Sequence, residues 1–155
     1  MENMIFKMYN EAVGFLDASD YLADRISKNG TNLFTCSSAY TVNRVFACEL
    51  LLKALCKIHH IELGKTHRLV KLFSLLPAEI KVKINDEYQS LYKSQLRRRN
   101  ELALRDLDSC MEDYDNAFVK WRYYYEESKE QLCLPWIDFD IFVFILKSMV
   151  EKCLD

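Results

Sequence analysis

The stretch that decides the fold runs from Tyr40 to Leu76 and reads YTVNRVFACELLLKALCKIHHIELGKTHRLVKLFSLL. Its first part is apolar on nearly every side when read as a helix. Only Glu49, Lys53 and Lys57, which recur every four residues, form a narrow polar stripe. A helix with this pattern is buried at the centre of a fold rather than laid on its surface. We therefore predict a central helix from Tyr40 to His60.

The end of this stretch predicts a turn and a second helix. Gly64 is a residue that favours a helix C-terminus, and Thr66 is one that favours a helix N-cap. The sequence therefore predicts that Gly64 ends the central helix and that a helix follows from His67 to Leu76. Leu33 to Ser38 is expected to be a connection that leads into the central helix.

The rest of the chain is also predicted to be helical. With only three Gly and two Pro, the chain is poor in the residues that turns need. Apolar residues recur at helical spacing throughout, and no segment alternates as a strand would. We predict an all-α fold, an antiparallel bundle of four main helices with one or two additional short helices, in one domain over residues 1–155. The further predicted helices are Met4–Ser27, Ala78–Gln95, Glu101–Glu127 and Phe139–Cys153, the last capped by Asp138.

Charge and cysteine usage restrict the classes of function. The 21 basic and 23 acidic residues nearly balance, so binding to nucleic acid or membrane would have to come from a local patch. The six cysteines include no C-x-x-C pair, which predicts reduced thiols in a cytoplasmic protein. Cys56, His59 and His60 lack a second ligand pair at usable spacing, so no metal and no cofactor is expected. No signal peptide and no membrane association are expected.

The polar stripe and the turn after it carry a family resemblance. Glu49 is followed four residues later by Lys53, and His67 with Leu69 opens the next predicted helix. In these positions the chain resembles the HEPN family (higher eukaryotes and prokaryotes nucleotide-binding), whose second helix carries Glu-x-x-x-Lys and whose third begins with His-x-Leu. A second likeness is the segment 118–123, in which aromatic residues precede an Arg-Tyr pair. The resemblance implies family-motif roles for Glu49, Lys53, His67 and Tyr123.

The resemblance does not extend to the family's ribonuclease motif. HEPN ribonucleases use an Arg and a His separated by four to six residues. Arg122 would need a His at position 127, 128 or 129, where Glu, Ser and Lys stand. We therefore predict a non-catalytic domain that acts by binding. One alternative is a divergent HEPN endoribonuclease that uses Arg122 and Glu126, and another is a helical adaptor between proteins.

Two readings stay open for the motif residues and for the charged clusters. Glu49 and Lys53 either form a plain i, i+4 ion pair or line a polar cleft, and His67 is either structural or part of a site. Lys93, Arg97, Arg98 and Arg99 form a basic cluster beside Tyr88 and Tyr92. The cluster suits RNA binding but equally a solvated surface. The acidic run 106–115 is expected to be a solvated surface rather than a metal site. The predicted RNA- or nucleotide-binding residues are Lys93, Arg97, Arg98, Arg99 and Arg122, with Arg105 nearby.

An excess of apolar and aromatic surface predicts a partner. The predicted central helix, the predicted last helix and the run 121–125 together exceed what one small bundle buries, which favours a homodimer. The resemblance implies partners such as a nucleotidyltransferase or an antitoxin, in a toxin–antitoxin or phage-defence setting. The predicted interface residues are Trp121, Tyr124, Tyr125 and Phe142.

Overall fold

A computed structural model describes residues 2–29, 33–99, 105–115 and 136–154 of the chain. These residues form helices and their connections, and no β-strand occurs among them, so the all-α prediction is confirmed. None of the helices in the described ranges is long and apolar enough to cross a bilayer. The helices are α1 (Glu2–Asn29), α2 (Leu33–Ile58), α3 (Leu69–Leu75), α4 (Ala78–Arg99), α5 (Leu107–Asp115) and α6 (Trp136–Leu154).

Helix α2 is the centre of the core, as its all-round apolar pattern predicts. It packs against α1, α3 and α6, so it has neighbours on three sides. Leu51, Leu52 and Leu55 have at most 1% of their surface exposed. Full burial of one leucine side chain stabilises the folded state by about 1.5–3 kcal/mol. Within the polar stripe, the Glu49 side chain is buried, while Lys53 and Lys57 are half-buried.

Helix α2 starts earlier than predicted. The segment from Leu33 to Ser38, which was expected to connect two helices, is itself the first part of α2. It contains neither Gly nor Pro, so nothing in its backbone chemistry stops a helix from running through it. Its two serines favour a helix start but do not require one.

Helix α2 also ends earlier than predicted, and His60 rather than Gly64 ends it. His60 has a φ of 57°, the left-handed conformation that most often belongs to Gly after a helix. The Ile61 amide donates to the Cys56 carbonyl at 2.9 Å, and the His60 amide donates to the Lys57 carbonyl at 3.1 Å. This pair of bonds is the Schellman motif, and it satisfies two carbonyls that the helix end would leave without partners.

Helix α3 begins at Leu69, and a side chain from another helix caps it. Thr66 accepts a hydrogen bond from the Arg68 amide at 3.3 Å, but it does not cap the first turn. Asp115, at the end of α5, accepts from the Val70 amide at 2.9 Å and from Arg68 Nε at 2.7 Å. Asp115 is buried, so the expectation that the acidic run is a solvated surface is wrong at this residue.

Helices α5 and α6 close the core from the remaining side. The ring of Tyr114 stacks on that of Phe139 with 3.9 Å between centroids. Helix α6 starts two residues before Asp138, the predicted cap, which lies buried in its first turn and receives a 2.9 Å bond from Arg105. Burial raises the pKa of Asp138, while Arg105 opposes that rise. Of the predicted helix Glu101–Glu127, residues 105–115 are described. Residues 107–115 form α5, whereas residues 105 and 106 are not helical, so the predicted helix is wrong there. Residues 101–104 and 116–127 lie outside the described residues.

Most of the apolar surplus of α6 is buried within the single chain. Phe139, Ile141 and Val143 are all buried, although they lie beyond the main apolar stripe of this helix, which includes Phe142, Ile145 and Met149. Phe142 is fully buried and packs edge-on to Phe73, with 6.1 Å between ring centroids, so its side chain is not at the surface. Among the side chains described for α6, the exposed aromatic residue is Phe144, at 60%. The homodimer stays a prediction, and the exposed apolar surface of α6 that supports it is smaller than the sequence pattern indicated.

Candidate functional site

Three of the four family-motif residues meet at one point. Glu49 Oε1 accepts a hydrogen bond from Lys53 Nζ at 2.6 Å, and the same oxygen lies 2.9 Å from His67 Nδ1. The Glu49 side chain is 8% exposed, that of Lys53 18% and that of His67 77%. A buried carboxylate therefore holds one ammonium group and one imidazole ring, and the ring faces solvent. We call Glu49, Lys53 and His67 the motif cluster.

Two elements bring the motif cluster together. Glu49 and Lys53 are one turn apart on α2, with the acid first, which is the favourable order for an i, i+4 pair. His67 lies just before α3, and its position follows from how α3 docks. Leu69 and Leu72 of α3 are fully buried, while Arg68 is tied to Asp115. The start of α3 is thus fixed by buried leucines and by an ion pair. His67, which directly precedes Arg68, is placed so that it contacts Glu49.

The contact with Glu49 determines which ring nitrogen of His67 carries a hydrogen atom. A carboxylate oxygen that already accepts from an ammonium group has only lone pairs to offer to the imidazole. Nδ1 must therefore carry the hydrogen, and in the neutral ring the lone pair is on Nε2. Since the ring is largely exposed, Nε2 is open to solvent and to ligands. The arrangement can hold an anion when the ring is protonated, or act as a base or nucleophile when it is not.

The surroundings of the motif cluster are basic. From Lys57 to Lys71, both included, the chain has four Lys or Arg residues and one Glu, and all three histidines of the protein. Lys65 is exposed in the α2–α3 connection and Lys71 is exposed on α3. Arg68 is engaged with Asp115, so its charge is largely compensated. A negatively charged ligand would meet a locally positive surface here although the whole chain is nearly neutral.

The predicted basic cluster lies on a different element. Lys93 is exposed on α4, and no contact described for it joins it to the motif cluster. The backbone of Arg97, Arg98 and Arg99 forms the last turn of α4, while their side chains lie outside the described residues. Arg105 does not belong to an open basic patch, because it pairs with Asp113 and with Asp138. Of the five predicted phosphate-binding residues, Lys93 is the one whose side chain is described, so the predicted binding site stays a prediction.

The remaining predicted site residues fall in the segment 116–135, which lies outside the described residues. They are Trp121, Arg122, Tyr123, Tyr124, Tyr125 and Glu126.

A polar network that the sequence did not predict joins three helices. Arg44 on α2 lies 2.7 Å from Asp20 on α1 and 3.1 Å from Asp140 on α6. The Tyr40 hydroxyl donates to Asp140 at 3.0 Å, and burial together with Asp140 raises the pKa of Tyr40 to about 12. Beside this network, Thr41 Oγ1 is buried and has no hydrogen-bond partner within the described chain. In the sequence, only the i, i+4 spacing of Tyr40 and Arg44 could have indicated part of this network.

A metal centre is not among the features of the described part of the chain. No three His, Cys, Asp or Glu side chains there are grouped so that they could hold a metal ion. Cys48, Cys56, Cys110 and Cys153 are free thiols, and the first three are buried. Burial raises the pKa of the thiol groups of Cys48, Cys56 and Cys110, which opposes the formation of reactive thiolates.

Comparisons with protein-family models, with curated proteins and with solved structures found no match. The resemblance to the HEPN family therefore stays a prediction that is based on the residues quoted above.

Proposed function

We propose that this chain is a HEPN-like domain, folded as an antiparallel helical bundle, that acts by binding the phosphate groups of RNA or of a nucleotide. The observation that carries the proposal is the motif cluster. Its three residues are among the four that the family resemblance singles out. They come from α2 and from the connection before α3, and they share one oxygen atom of a largely buried carboxylate, which a set of unrelated surface residues would not do.

The cluster supports phosphate binding through the position of the His67 ring. Glu49 is largely buried and contacts Nδ1, so the exposed ring leaves Nε2 toward solvent, where the N–H of the protonated ring can donate to a phosphate oxygen. Lys65 is exposed in the α2–α3 connection, which also contains His67, and Lys71 is exposed on α3. Each phosphate group that is neutralised releases counterions, so binding of this kind is expected to weaken steeply with salt.

Binding to RNA or nucleotide is tested by fluorescence anisotropy with a labelled single-stranded RNA and with a labelled nucleoside triphosphate, at several salt concentrations. Lys65→Glu with Lys71→Glu should weaken binding and reduce the salt slope by about 0.7 for each phosphate group that the variant no longer neutralises. Lys81→Glu with Lys83→Glu on α4 changes the charge equally and serves as the matched control. If the wild type shows no salt-dependent binding up to about 100 μM, the weak end of typical non-specific affinity, the proposed function is wrong.

The non-catalytic part of the proposal concerns residues outside the described ranges. No arginine of the chain is followed by a histidine with four to six residues between the two, so the family's ribonuclease chemistry has no matching pair. We expect no metal-independent RNA cleavage above that of an Arg122→Ala control. Cleavage that is abolished in Arg122→Ala or in Glu126→Ala would favour the divergent endoribonuclease instead.

The proposed homodimer is tested separately. Phe144 is the exposed aromatic residue on α6 that a second copy, or a partner such as a nucleotidyltransferase or an antitoxin, could cover. Light scattering over a range of micromolar concentrations should give a mass of twice 18.4 kDa. A constant mass of one chain would refute the homodimer and leave a different partner protein as the remaining form of this proposal.

A further inference from the structure

The motif cluster has a chemical property that phosphate binding alone does not use. His67 Nδ1 lies 2.9 Å from Glu49 Oε1, so the hydrogen of the neutral ring is on Nδ1 and the lone pair is on Nε2. The ring is 77% exposed, while the carboxylate that holds it is 8% exposed. A reactive nitrogen is thus presented to solvent by a partner that is itself fixed in the core.

This geometry raises the reactivity of Nε2. When Nε2 forms a bond to an electrophile, positive charge develops on the ring and is shared with Nδ1–H. Glu49 accepts that hydrogen bond and stabilises the charge, in the way that a carboxylate behind a histidine does in many sites. Lys53 also bonds the same oxygen and reduces this effect without removing it.

The other two histidines lack this arrangement. His60 is exposed at the end of α2, and His59 is half-buried beside it. Among the hydrogen bonds and ion pairs of the described residues, neither ring has a carboxylate partner. The chain therefore contains its own comparison, an exposed histidine with a carboxylate behind it and an exposed histidine without one.

We infer that His67 is a phosphoacceptor, whose Nε2 takes a phosphoryl group from a donor of the phosphoramidate class, a class that includes a phosphohistidine on another protein. The Nε2 lone pair attacks phosphorus and forms the new P–N bond. The P–N bond of the donor breaks, and its electron pair leaves with the donor nitrogen. Phosphoramidate, which is protonated on its nitrogen, releases neutral ammonia, and a phosphohistidine that is protonated on its other ring nitrogen releases a neutral imidazole. The hydrogen on Nδ1 stays in place and remains bonded to Glu49.

The inference is independent of the proposed binding of RNA or nucleotide, because a phosphoramidate needs no binding site for a base or a ribose. A protein that binds no nucleic acid can still be phosphorylated at His67, and one that binds RNA can fail to be. The two ideas therefore fail in different experiments.

The test uses the full chain and potassium phosphoramidate as donor. Time courses of phosphorylation are followed by intact-mass spectrometry, the sites are assigned by peptide mapping under alkaline conditions, and ³¹P NMR distinguishes Nε2 from Nδ1 phosphorylation. We expect His67 to be modified about tenfold faster than His60, the factor that one charge-assisted hydrogen bond supplies, and at Nε2. Equal rates at His67 and His60 in the wild type, or modification of His67 at Nδ1, would overturn the inference.

Two variants of α2 separate the electronic role of Glu49 from a structural one. Glu49→Gln keeps an acceptor for Nδ1–H but removes the charge, and it should lower the rate at His67 to about that at His60. Lys53→Met removes the competing ammonium and should leave the rate at His67 unchanged or higher. An equal fall in both variants, or an unchanged rate in Glu49→Gln, would contradict the inference. The comparison of His67 with His60 in the wild type needs no variant, so it stands even if a variant folds poorly.

Discussion

Replacing His60 by Gly should stabilise the protein, and the structure allows the size of the effect to be worked out. The backbone of His60 has a φ of 57°, which costs a residue with a Cβ atom about 1–2 kcal/mol relative to the right-handed helical conformation. Gly removes this cost, but it gives the unfolded chain more freedom, which costs about 0.4–1 kcal/mol. The strain is the larger of the two effects, so we expect a net gain of about 0.5–1 kcal/mol in the free energy of unfolding.

The structure gives no other reason for His60 to be a histidine. Its side chain is exposed, and the two Schellman hydrogen bonds at the end of α2 use only backbone atoms, so Gly keeps both. For a chain of this size, 1 kcal/mol corresponds to about 2–4 °C in the melting temperature. The expected shift is therefore about 1–4 °C upward, which urea denaturation and thermal unfolding both resolve.

The assay compares the urea midpoints of the wild type, His60→Gly, His60→Ala and His59→Gly, with the slope of the transition as a check on two-state behaviour. His60→Ala keeps the Cβ atom and the strain, so it should lie close to the wild type. The backbone of His59 does not have a positive φ, so Gly there relieves nothing and should be neutral or destabilising. A His60→Gly protein that is no more stable than His60→Ala would refute the reasoning.

Three further predictions follow from the packing. Asp115→Ala should cost about 2 kcal/mol in urea unfolding, because it removes the cap of α3 and the partner of Arg68, whereas Glu112→Ala on the exposed face of α5 should stay within about 0.5 kcal/mol. Leu51→Ala should cost about 2–5 kcal/mol, since Leu51 is fully buried, and a loss below 1 kcal/mol would contradict the central position of α2. Bonds from Lys147 and Tyr9 lower the pKa of Glu151, so its stabilisation is present above the ordinary glutamate pKa and is lost as pH falls through the folded value. Glu151→Gln should therefore be less stable than the wild type at pH 7, and the difference should be smaller near pH 3. A difference that is the same at both pH values would be evidence against this linkage.

The prediction of helices from local patterns was accurate for existence and less so for boundaries. The periodicity of α1, α2, α4 and α6 was visible because each of these helices has enough turns for its buried positions to repeat. Boundaries were wrong where a competing local choice was available. The chain could have ended α2 at Gly64, but His60 adopts the left-handed conformation four residues earlier. In the short helix α3, the cap is supplied from outside the segment, so the Thr66 signal was misleading.

The contacts within the site also differ in this way: the sequence pattern predicts the local contact and does not predict those between distant residues. The pair of Glu49 with Lys53 is one helical turn long, and its spacing alone predicts it. His67 is 18 residues from Glu49, and without the family resemblance nothing in its neighbourhood would connect the two. Arg44, Asp20 and Asp140 belong to three different helices, and no local pattern relates them.

The amino-acid sequence by itself therefore determined that this chain is helical, that α2 is buried on nearly all sides, and that Glu49 and Lys53 lie on one polar stripe. Only the tertiary structure decided that Asp115 caps α3 from 45 residues away and that the docking of α3 places His67 on Glu49. The physical reason is that helix formation depends on hydrogen bonds and side chains within a few residues, which a linear pattern records. Which distant polar groups become partners depends instead on how buried faces pack, and each unpaired group is then satisfied by whatever donor or acceptor the packing brings near it.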